Sequence, residues 1–131
     1  MASTIQNRYK DIDLSFTKNP KTKDIYVLSD IDAVKRSVKH LVLTKFSERL
    51  FHPEIGSAIY GSLFENITSE TSIIIETSVQ DVINNFEPRA KLIRVDVKET
   101  SDLNSIDVEI YFYIVNIQDP VSVRVNLERV R

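Results

Sequence analysis

The spacing of hydrophobic residues changes along this chain, from every third or fourth position to every second position. The helical spacing predicts three helices, over residues 30–44, over residues 57–67, and from Thr68 or Ser69 to Glu87. The apolar stripe of the first helix consists of Ile31, Val34, Val38, Leu41 and Val42. The stripe of the third helix consists of Ile75, Val79, Val82, Ile83 and Phe86.

The last third of the chain has the alternating pattern of strands with one buried face. A first strand is predicted over residues 92–98, a second over residues 106–117 and a third over residues 121–130. The residues expected on the buried face of the first strand are Ile93, Val95 and Val97. Because short polar turns join the strands, we expect a three-stranded antiparallel meander. Helices followed by strands give an α+β fold, with the three helices packed on the meander.

The segment before the first helix is polar and weakly periodic. Ile12, Leu14 and Phe16 alternate with polar residues, which predicts a short strand or an extended arm. Residues 18–23 have the composition of a loop, and residues 25–28 suit a second extended piece. We therefore expect an N-terminal arm over residues 1–29 and a single α+β domain over residues 30–131.

Composition supports a globular fold and excludes several kinds of chemistry. Of the 131 residues, 42% are hydrophobic and 27% are charged. The formal net charge is −2 and basic residues form no block, so bulk charge does not favour nucleic acid or an anionic membrane. No apolar run approaches the roughly 20 residues of a membrane span. Without cysteine, and with glycine only at Gly56 and Gly61, the chain cannot form disulfides, thiolate metal sites or a Gly-rich phosphate loop.

The titratable residues give little support to catalysis or metal binding. His40 lies beside the stripe of the first helix and His52 in a charged loop, without the His-x-x-x-His spacing of a helical metal site. The candidate carboxylates for hydrolysis of a glycosidic bond, which needs two, are Glu48, Glu54, Glu65 and Glu87. Neighbouring arginines would lower their pKa values, whereas a general acid needs a raised pKa. We expect no enzymatic activity, no cofactor and no metal.

The tripeptide Glu87-Pro88-Arg89 stands between the third helix and the first strand of the meander. Proline cannot continue a helix and moves the residue before it out of the helical region, so the helix ends here. The resulting corner would present a carboxylate and a guanidinium in fixed geometry, which suits docking on another surface. The alternative is a helix stop with a solvated ion pair.

The last strand is a second candidate for docking, because no proline interrupts it and no helix is predicted after it. At the edge of the sheet it would offer backbone donors and acceptors to which another chain could add a strand. The residues assigned to this edge are Val121, Val123, Arg124, Val125 and Leu127. The alternative is an ordinary edge strand that its own charged side chains protect.

Four short stretches occur in an order that resembles one protein family. Asp11-Ile12-Asp13 with Phe16 resembles its entry segment, and residues 32–38 resemble its first helix. Residues 48–57, with the continuation 63–65, resemble the loop written G-E-R-x-F-x-P-E-F-G-S, and Phe86-Glu87-Pro88-Arg89 matches an aromatic-E-P-R signature. The family is that of the baseplate wedge proteins of contractile phage tails, which are sheath initiators. It includes the wedge component of type VI secretion baseplates, and the resemblance extends over about residues 10–117.

The resemblance implies a structural subunit of the virion tail baseplate, made in the host cytoplasm. In this family the subunit packs near the tail tube against the helical core bundle of larger wedge proteins, and its terminal β elements start the first sheath ring. The corner Glu87-Pro88-Arg89 and the loop with Glu48 and Arg49 would then dock on wedge subunits, and the last strand would pair with the tail sheath protein. The tail tube or hub is a further partner, and neither nucleic acid nor a membrane is expected.

The sequence departs from the family pattern at two positions. Ser47 stands where the family has glycine, which would cost about 1 kcal/mol if the position needs a positive φ. Ile55 replaces an aromatic residue, which weakens any stacking role there.

Three other interpretations stay open. The chain could be a type VI secretion wedge subunit, a peptidoglycan hydrolase of the kind that the older lysozyme-like label of some family members implies, or a general interaction domain. If the baseplate interpretation is right, alanine at Glu87 or Arg89 should leave the chain folded and impair wedge assembly. Removal of residues 121–131 should prevent sheath initiation.

Overall fold

The computed structural model describes residues 10–62, 68–99, 105–115 and 117–128. The strands are β1 (Lys10–Ile12), β2 (Val27–Ser29), β3 (Ala90–Glu99), β4 (Ser105–Ile114) and β5 (Val121–Glu128). The helices are α1 (Ile31–Leu43), α2 (Ile59–Ser62) and α3 (Ser69–Phe86). Three helices precede a C-terminal antiparallel meander, so the predicted α+β class is confirmed.

The meander is a sheet in which β4 lies between β3 and β5. Both pairs are antiparallel, with Val108 opposite Val125 and Ile110 opposite Val123. Because successive side chains point to opposite faces, the apolar residues of β4 and β5 share one face. Its buried members are Ile106, Val108, Ile110, Phe112, Ile114, Val123, Val125 and Leu127. The alternation predicted for these two strands is confirmed.

The helices α1 and α3 cover this apolar face, α1 against β5 and α3 against β3. The stripe residues that join the sheet in one core are Val34, Val38, Val42, Ile75, Val79 and Ile83. Thr68 begins α3 as its N-cap, and its hydroxyl oxygen accepts a hydrogen bond from the N–H of Thr71 at 3.3 Å. The predicted stripes of both long helices therefore face the sheet, except for Ile31 at the start of α1, which is exposed.

The N-terminal strands β1 and β2 form a separate antiparallel hairpin. A strand continuing to Phe16 is wrong, because Asp13 begins a turn directly after Ile12. The Oδ1 of Asp13 accepts from the N–H of Ser15, and its carbonyl oxygen accepts from the N–H of Phe16, each at 3.1 Å. An ion pair of 3.2 Å between Asp13 and Arg36 connects the hairpin to α1.

β3 departs from its predicted alternation at a β-bulge. The register against β4 shifts between Leu92 and Arg94, so Ile93 is the extra residue. Leu92 packs against the core, Val95 is buried, and Ile93 is exposed. The prediction that Ile93 shares the buried face of Val95 is therefore wrong, and single-strand periodicity contains no information on such an insertion.

The predicted ends of three elements differ from those observed or fall outside the described residues. Only Ile59–Ser62 of the second helix, predicted over residues 57–67, is described as helical, and residues 63–67 lie outside the described residues. β4 ends before residue 117 because the N–H of Ile117 turns back to the carbonyl oxygen of Ile114 at 3.0 Å. Residues 129–131, assigned to the last strand, also lie outside the described part of the chain.

Candidate functional site

The corner between α3 and β3 is closed by backbone hydrogen bonds. The N–H of Glu87 donates at 2.9 Å to a carbonyl oxygen of the last turn of α3, and its own carbonyl oxygen accepts from the N–H of Ala90 at 3.2 Å. The carbonyl oxygen of Arg89 accepts from the N–H of Val115 at 2.9 Å. Pro88 is exposed and has no N–H with which to continue the helix. The predicted helix end at this corner is confirmed.

The carboxylate of Glu87 is buried, and the residue is only 2% exposed. Arg89 donates from Nε to Oε1 at 2.7 Å and from Nη2 to Oε2 at 2.9 Å, and Ser37 of α1 donates its hydroxyl to Oε2. Burial alone would raise the pKa of Glu87. The hydrogen bonds from Arg89 and Ser37, with the positive charge of Arg89, outweigh burial and lower that pKa.

This geometry corrects the expectation that the corner presents two charges to solvent. Glu87 has its partners inside the chain and fixes the guanidinium of Arg89, whose side chain is 28% exposed. The solvent-facing part of the corner is therefore Pro88 with part of Arg89. The expectation that alanine at Glu87 leaves the chain folded stays a prediction, and the geometry adds a cost in stability, because that variant removes a buried acceptor from Arg89 and Ser37.

The segment 44–57 forms a loop that is closed at its base. The N–H of Ser57 donates to the carbonyl oxygen of Thr44 at 2.9 Å, and its hydroxyl donates to a carbonyl oxygen of α1 at 2.7 Å. Gly56 has a φ of 155°, and a Cβ atom there would lie 2.7 Å from the carbonyl carbon of Lys45. The base of the loop therefore requires glycine at this position.

Hydrogen bonds within this loop hold its outer part in place. The N–H of Ser47 donates to the carbonyl oxygen of Pro53 at 2.9 Å, and the carboxylate of Glu48 accepts from the N–H of Lys45 at 2.8 Å. Ser47 and Phe51 have φ values of 65° and 68°, in the left-handed region. Ser47 thus has a positive φ in this chain, which is the condition for the cost expected there from the resemblance.

The loop tip, defined here as Leu50 and Phe51, places two large apolar side chains in solvent. Leu50 is 85% exposed and Phe51 is 95% exposed. The loop residues predicted to dock were the neighbouring Glu48 and Arg49, and the apolar pair was not among them. The available indication was an apolar dipeptide inside a loop, with no helical or strand periodicity that would bury it. Exposed apolar residues on a preorganised loop are typical of a protein contact site.

The loop and the end of α3 that precedes the corner line the same cavity. A cavity of about 420 Å³ is lined by Arg49 of the loop, by Ser37 and His40 of α1, and by Phe86 at the end of α3. The Nε2 atom of His40 is buried without a hydrogen-bond partner within the described part of the chain. Burial, and then the charge of Arg36, lowers the pKa of His40. The fold therefore brings together two segments that the sequence predicted separately.

The third predicted segment lies at the sheet edge. Among the described residues β5 pairs only with β4, so its other side is an open edge. The assigned side chains that lie in the core or against it are Val121, Val123, Val125 and Leu127. Arg124 points to the opposite face, where its Nη2 donates to Asp107 at 2.6 Å. The edge therefore offers its backbone to a partner, while most of its side chains stabilise this chain.

Two of the carboxylates considered for hydrolysis, Glu54 and Glu87, have lowered pKa values, whereas a general acid needs a raised pKa. The pKa of Glu54 is lowered by a hydrogen bond from its own backbone and by His52, whose Nδ1 lies 3.2 Å from its Oε1. The pKa of Glu87 is lowered as described above, and Glu65 lies outside the described residues. No group of three or more residues that could hold a metal ion occurs in residues 10–62, 68–99, 105–115 and 117–128.

The described helices include none that is both long enough and apolar enough to cross a membrane. Exposed contact features on a small α+β scaffold are typical of the class of proteins that assemble into larger structures. A sequence model of the family described as Baseplate wedge protein gp25 matches residues 29–118. The chain therefore belongs to the baseplate wedge protein gp25 family, and the resemblance found in its motifs is confirmed.

Individual relatives agree with this assignment. The chain is 29% identical over 119 residues to Baseplate wedge protein gp25 of Enterobacteria phage T4, which covers 91% of this chain and 89% of the relative. It is similar to a chain of the anti-feeding prophage (AFP) baseplate, with 27% identity, a TM-score of 0.72, and coverage of 85% of this chain and 89% of the other. A structure described as a tail lysozyme from Geobacter sulfurreducens shares the fold alone, with 20% identity, a TM-score of 0.73 and coverage of 81% and 97%.

Proposed function

We propose that this chain is a structural subunit of a contractile-tail baseplate with two separate contacts. The loop 44–57 and the corner Glu87-Pro88-Arg89 dock on larger wedge subunits, and the open edge of β5 pairs with the sheath protein of the first ring. Family membership supports the baseplate, and the single observation that carries the docking contact is the exposed loop tip. The proposed site of action is the tail baseplate, after synthesis in the host cytoplasm.

The wedge contact is argued from the loop tip. Burial of Leu50 and Phe51 in a partner would contribute about 1.5–3 kcal/mol for each side chain. The surrounding charges are mixed, since Glu48 and Glu54 balance Lys45 and Arg49 and leave no basic excess for an anionic membrane. An apolar pocket on a protein subunit therefore fits the tip better than a lipid surface does.

Serine substitution of the loop tip tests the wedge contact. The double variant Leu50→Ser, Phe51→Ser should fold normally and fail to assemble with purified wedge subunits. Ile73 and Ile74 on α3 form a matched control, because they are an adjacent apolar pair with exposures of 60% and 49%. Their double serine variant should assemble as the parent does. Normal assembly of the loop-tip variant would contradict this docking role.

The sheath contact needs a test that preserves β5. Removal of residues 121–131 is unsuitable, because Val123, Val125 and Leu127 complete the core. Amide hydrogen exchange reads the open edge directly, since successive amides of an edge strand point alternately toward its neighbour and toward solvent. Addition of sheath protein to assembled baseplates should protect the alternate, outward-pointing amides of β5. Unchanged exchange of all β5 amides in sheathed particles would contradict strand addition.

The proposal retains the division into an arm over residues 1–29 and a wedge domain over residues 30–131. Its support is that the β1–β2 hairpin forms a sheet of its own, and the Asp13–Arg36 ion pair is the described salt bridge that connects it to α1. The proposed partners also include the tail tube or hub. Limited proteolysis of the purified chain tests the division, since a stable fragment beginning near residue 30 is expected.

The proposed role is not enzymatic, because neither Glu54 nor Glu87 has the raised pKa that a general acid needs. A turbidity assay of the purified protein on peptidoglycan tests this. Clearing that is lost in the Glu54→Gln variant would favour the hydrolase instead. The neighbouring genes would distinguish a phage baseplate from a type VI secretion baseplate, for which the same contacts are proposed.

A further inference from the structure

A cleft of about 370 Å³ lies between α1 and the edge strand β5. Its described lining residues include the basic residues Lys35, Arg36 and Lys39 of α1 and the acidic residue Asp32, and Arg124 lines it from β5 while its guanidinium lies on the opposite face with Asp107. The cleft thus adjoins the edge at which a partner strand is proposed to add, and its walls are predominantly basic.

The cationic residues of the cleft differ in whether this chain already neutralises them. Arg36 pairs with Asp13 at 3.2 Å, and Arg124 pairs with Asp107 at 2.6 Å. Within the described part of the chain, no ion pair joins Lys35 or Lys39 to a carboxylate. These two lysines are therefore the charges that a partner can neutralise.

The two lysines have the spacing of alternate residues in a strand. Lys35 and Lys39 are four residues apart on α1, which places them on one helix face about 6 Å from each other. Alternate residues of a strand lie about 6.7 Å apart and point to the same face. A strand added to β5 would extend the sheet under the face that α1 covers, so that every second side chain points toward these lysines.

On the opposite face of the sheet, several charged side chains already pair within this chain. There Asp107 accepts from Arg124 at 2.6 Å and from Asn126 at 2.7 Å, and Arg94 pairs with Asp96 at 3.3 Å. Glu109 and Glu128 also lie on this face, so it does not favour an acidic strand, and attraction of such a strand depends on the α1 side.

We propose that the strand that adds to β5 is acidic, with carboxylates at alternate positions that face Lys35 and Lys39. This inference rests on the proposed strand addition and specifies the chemistry of the segment that binds. The lysines select the partner and set its register, since a shift by one residue would turn the carboxylates to the other face.

Synthetic peptides test this inference on the purified protein. Three short peptides alternate threonine with glutamate, with serine or with lysine, and their binding is measured by fluorescence anisotropy. The glutamate peptide should bind roughly tenfold more tightly than the serine peptide, and the lysine peptide should bind most weakly. The advantage of the glutamate peptide should shrink with added salt, because the lysines border solvent.

Charge reversal supplies the matched comparison. The variant Lys35→Glu, Lys39→Glu should prefer the lysine peptide, whereas Lys18→Glu, Lys21→Glu, with the same change in net charge on the exposed hairpin loop, should keep the parent preference. Equal binding of the glutamate and serine peptides, or equal effects of both double variants, would overturn the acidic-strand inference and leave strand addition intact. Absence of binding by all three peptides would overturn both.

Discussion

The corner Glu87-Pro88-Arg89 and the loop 44–57 contain similar acid–base pairs in sequence but use them differently. At the corner the acid is buried, and it joins α3, β3 and α1 through Arg89 and Ser37. In the loop Glu48 holds a backbone N–H, and the outermost side chains are apolar. A charged pair beside a turn can therefore stabilise the turn itself, and its presence in the sequence does not by itself predict a binding surface. Exposed apolar residues that the backbone holds in place are the more specific sign of a contact.

The largest loss of stability should come from Glu87→Ala. Comparison with a variant of the loop tests whether the corner contributes more to stability than the loop does. Removal of a buried acceptor from Arg89 and Ser37 should lower the free energy of unfolding by about 2–4 kcal/mol. Urea denaturation measures this, with Glu48→Ala in the exposed loop as control, where a loss of at most about 1 kcal/mol is expected. Equal losses in the two variants would show that the corner is no more structural than the loop.

A second large effect is expected at the base of the loop. In Gly56→Ala the new Cβ would lie 2.7 Å from backbone atoms of Lys45 at a φ of 155°, so a loss of about 2–3 kcal/mol is expected. Gly61→Ala is the matched control, because no atom of the described residues lies within 4 Å of the Cβ position there. Alanine at Gly61 should be neutral or stabilising, since Gly61 is helical. Similar thermal stability of both variants would contradict the close packing at the loop base.

The two regions also differ in how far the sequence predicted them. Helix spacing and alternation located α1, α3, β4 and β5, because each places many apolar residues on one face. The motif at Pro88 located the corner, because a proline effect is local. The inward orientation of Glu87 depends on Ser37, 50 residues away, and no local pattern contains that contact. The bulge at Ile93 is missed for a related reason, because it is a property of the pairing between two strands.

The exposed loop tip was missed because hydrophobic residues are ordinarily assigned to the core. Leu50 and Phe51 follow Glu48 and Arg49 directly, and the docking role was predicted for the charged pair. Their side chains are exposed because Ser57 closes the base of the loop and because positive φ values redirect its backbone. Neither of these two features produces a periodic pattern of hydrophobic residues in the sequence. A large apolar pair in a segment without periodicity is the general sign that would have identified the tip.

Acid should weaken the corner before it affects the loop. The folded pKa of Glu87 lies below the ordinary glutamate value, so its contribution is fully present above that value and is lost as the pH falls through the folded pKa. Stability of the parent should therefore decline with decreasing pH in this acidic range. The variant Glu87→Gln should be less stable at neutral pH and should show a shallower decline. Parallel pH profiles of parent and variant, measured by urea denaturation, would contradict the assignment of Glu87 as a buried, ionised residue.

The smallest effect concerns Ser47, one of the two motif positions of the loop at which the sequence analysis found a departure from the family pattern. Ser47 has a φ of 65°, and relief of left-handed strain in Ser47→Gly should outweigh the added flexibility of the unfolded chain by about 0.5 kcal/mol. The same substitution at Ser78, inside α3, should instead cost about 0.5–1 kcal/mol, because glycine is a poor helix former. Thermal unfolding of both variants distinguishes these opposite signs. A loss of stability at Ser47 would show that serine is already accommodated there, and that the loop gains its fixed shape from the hydrogen bond to Pro53 without strain at residue 47.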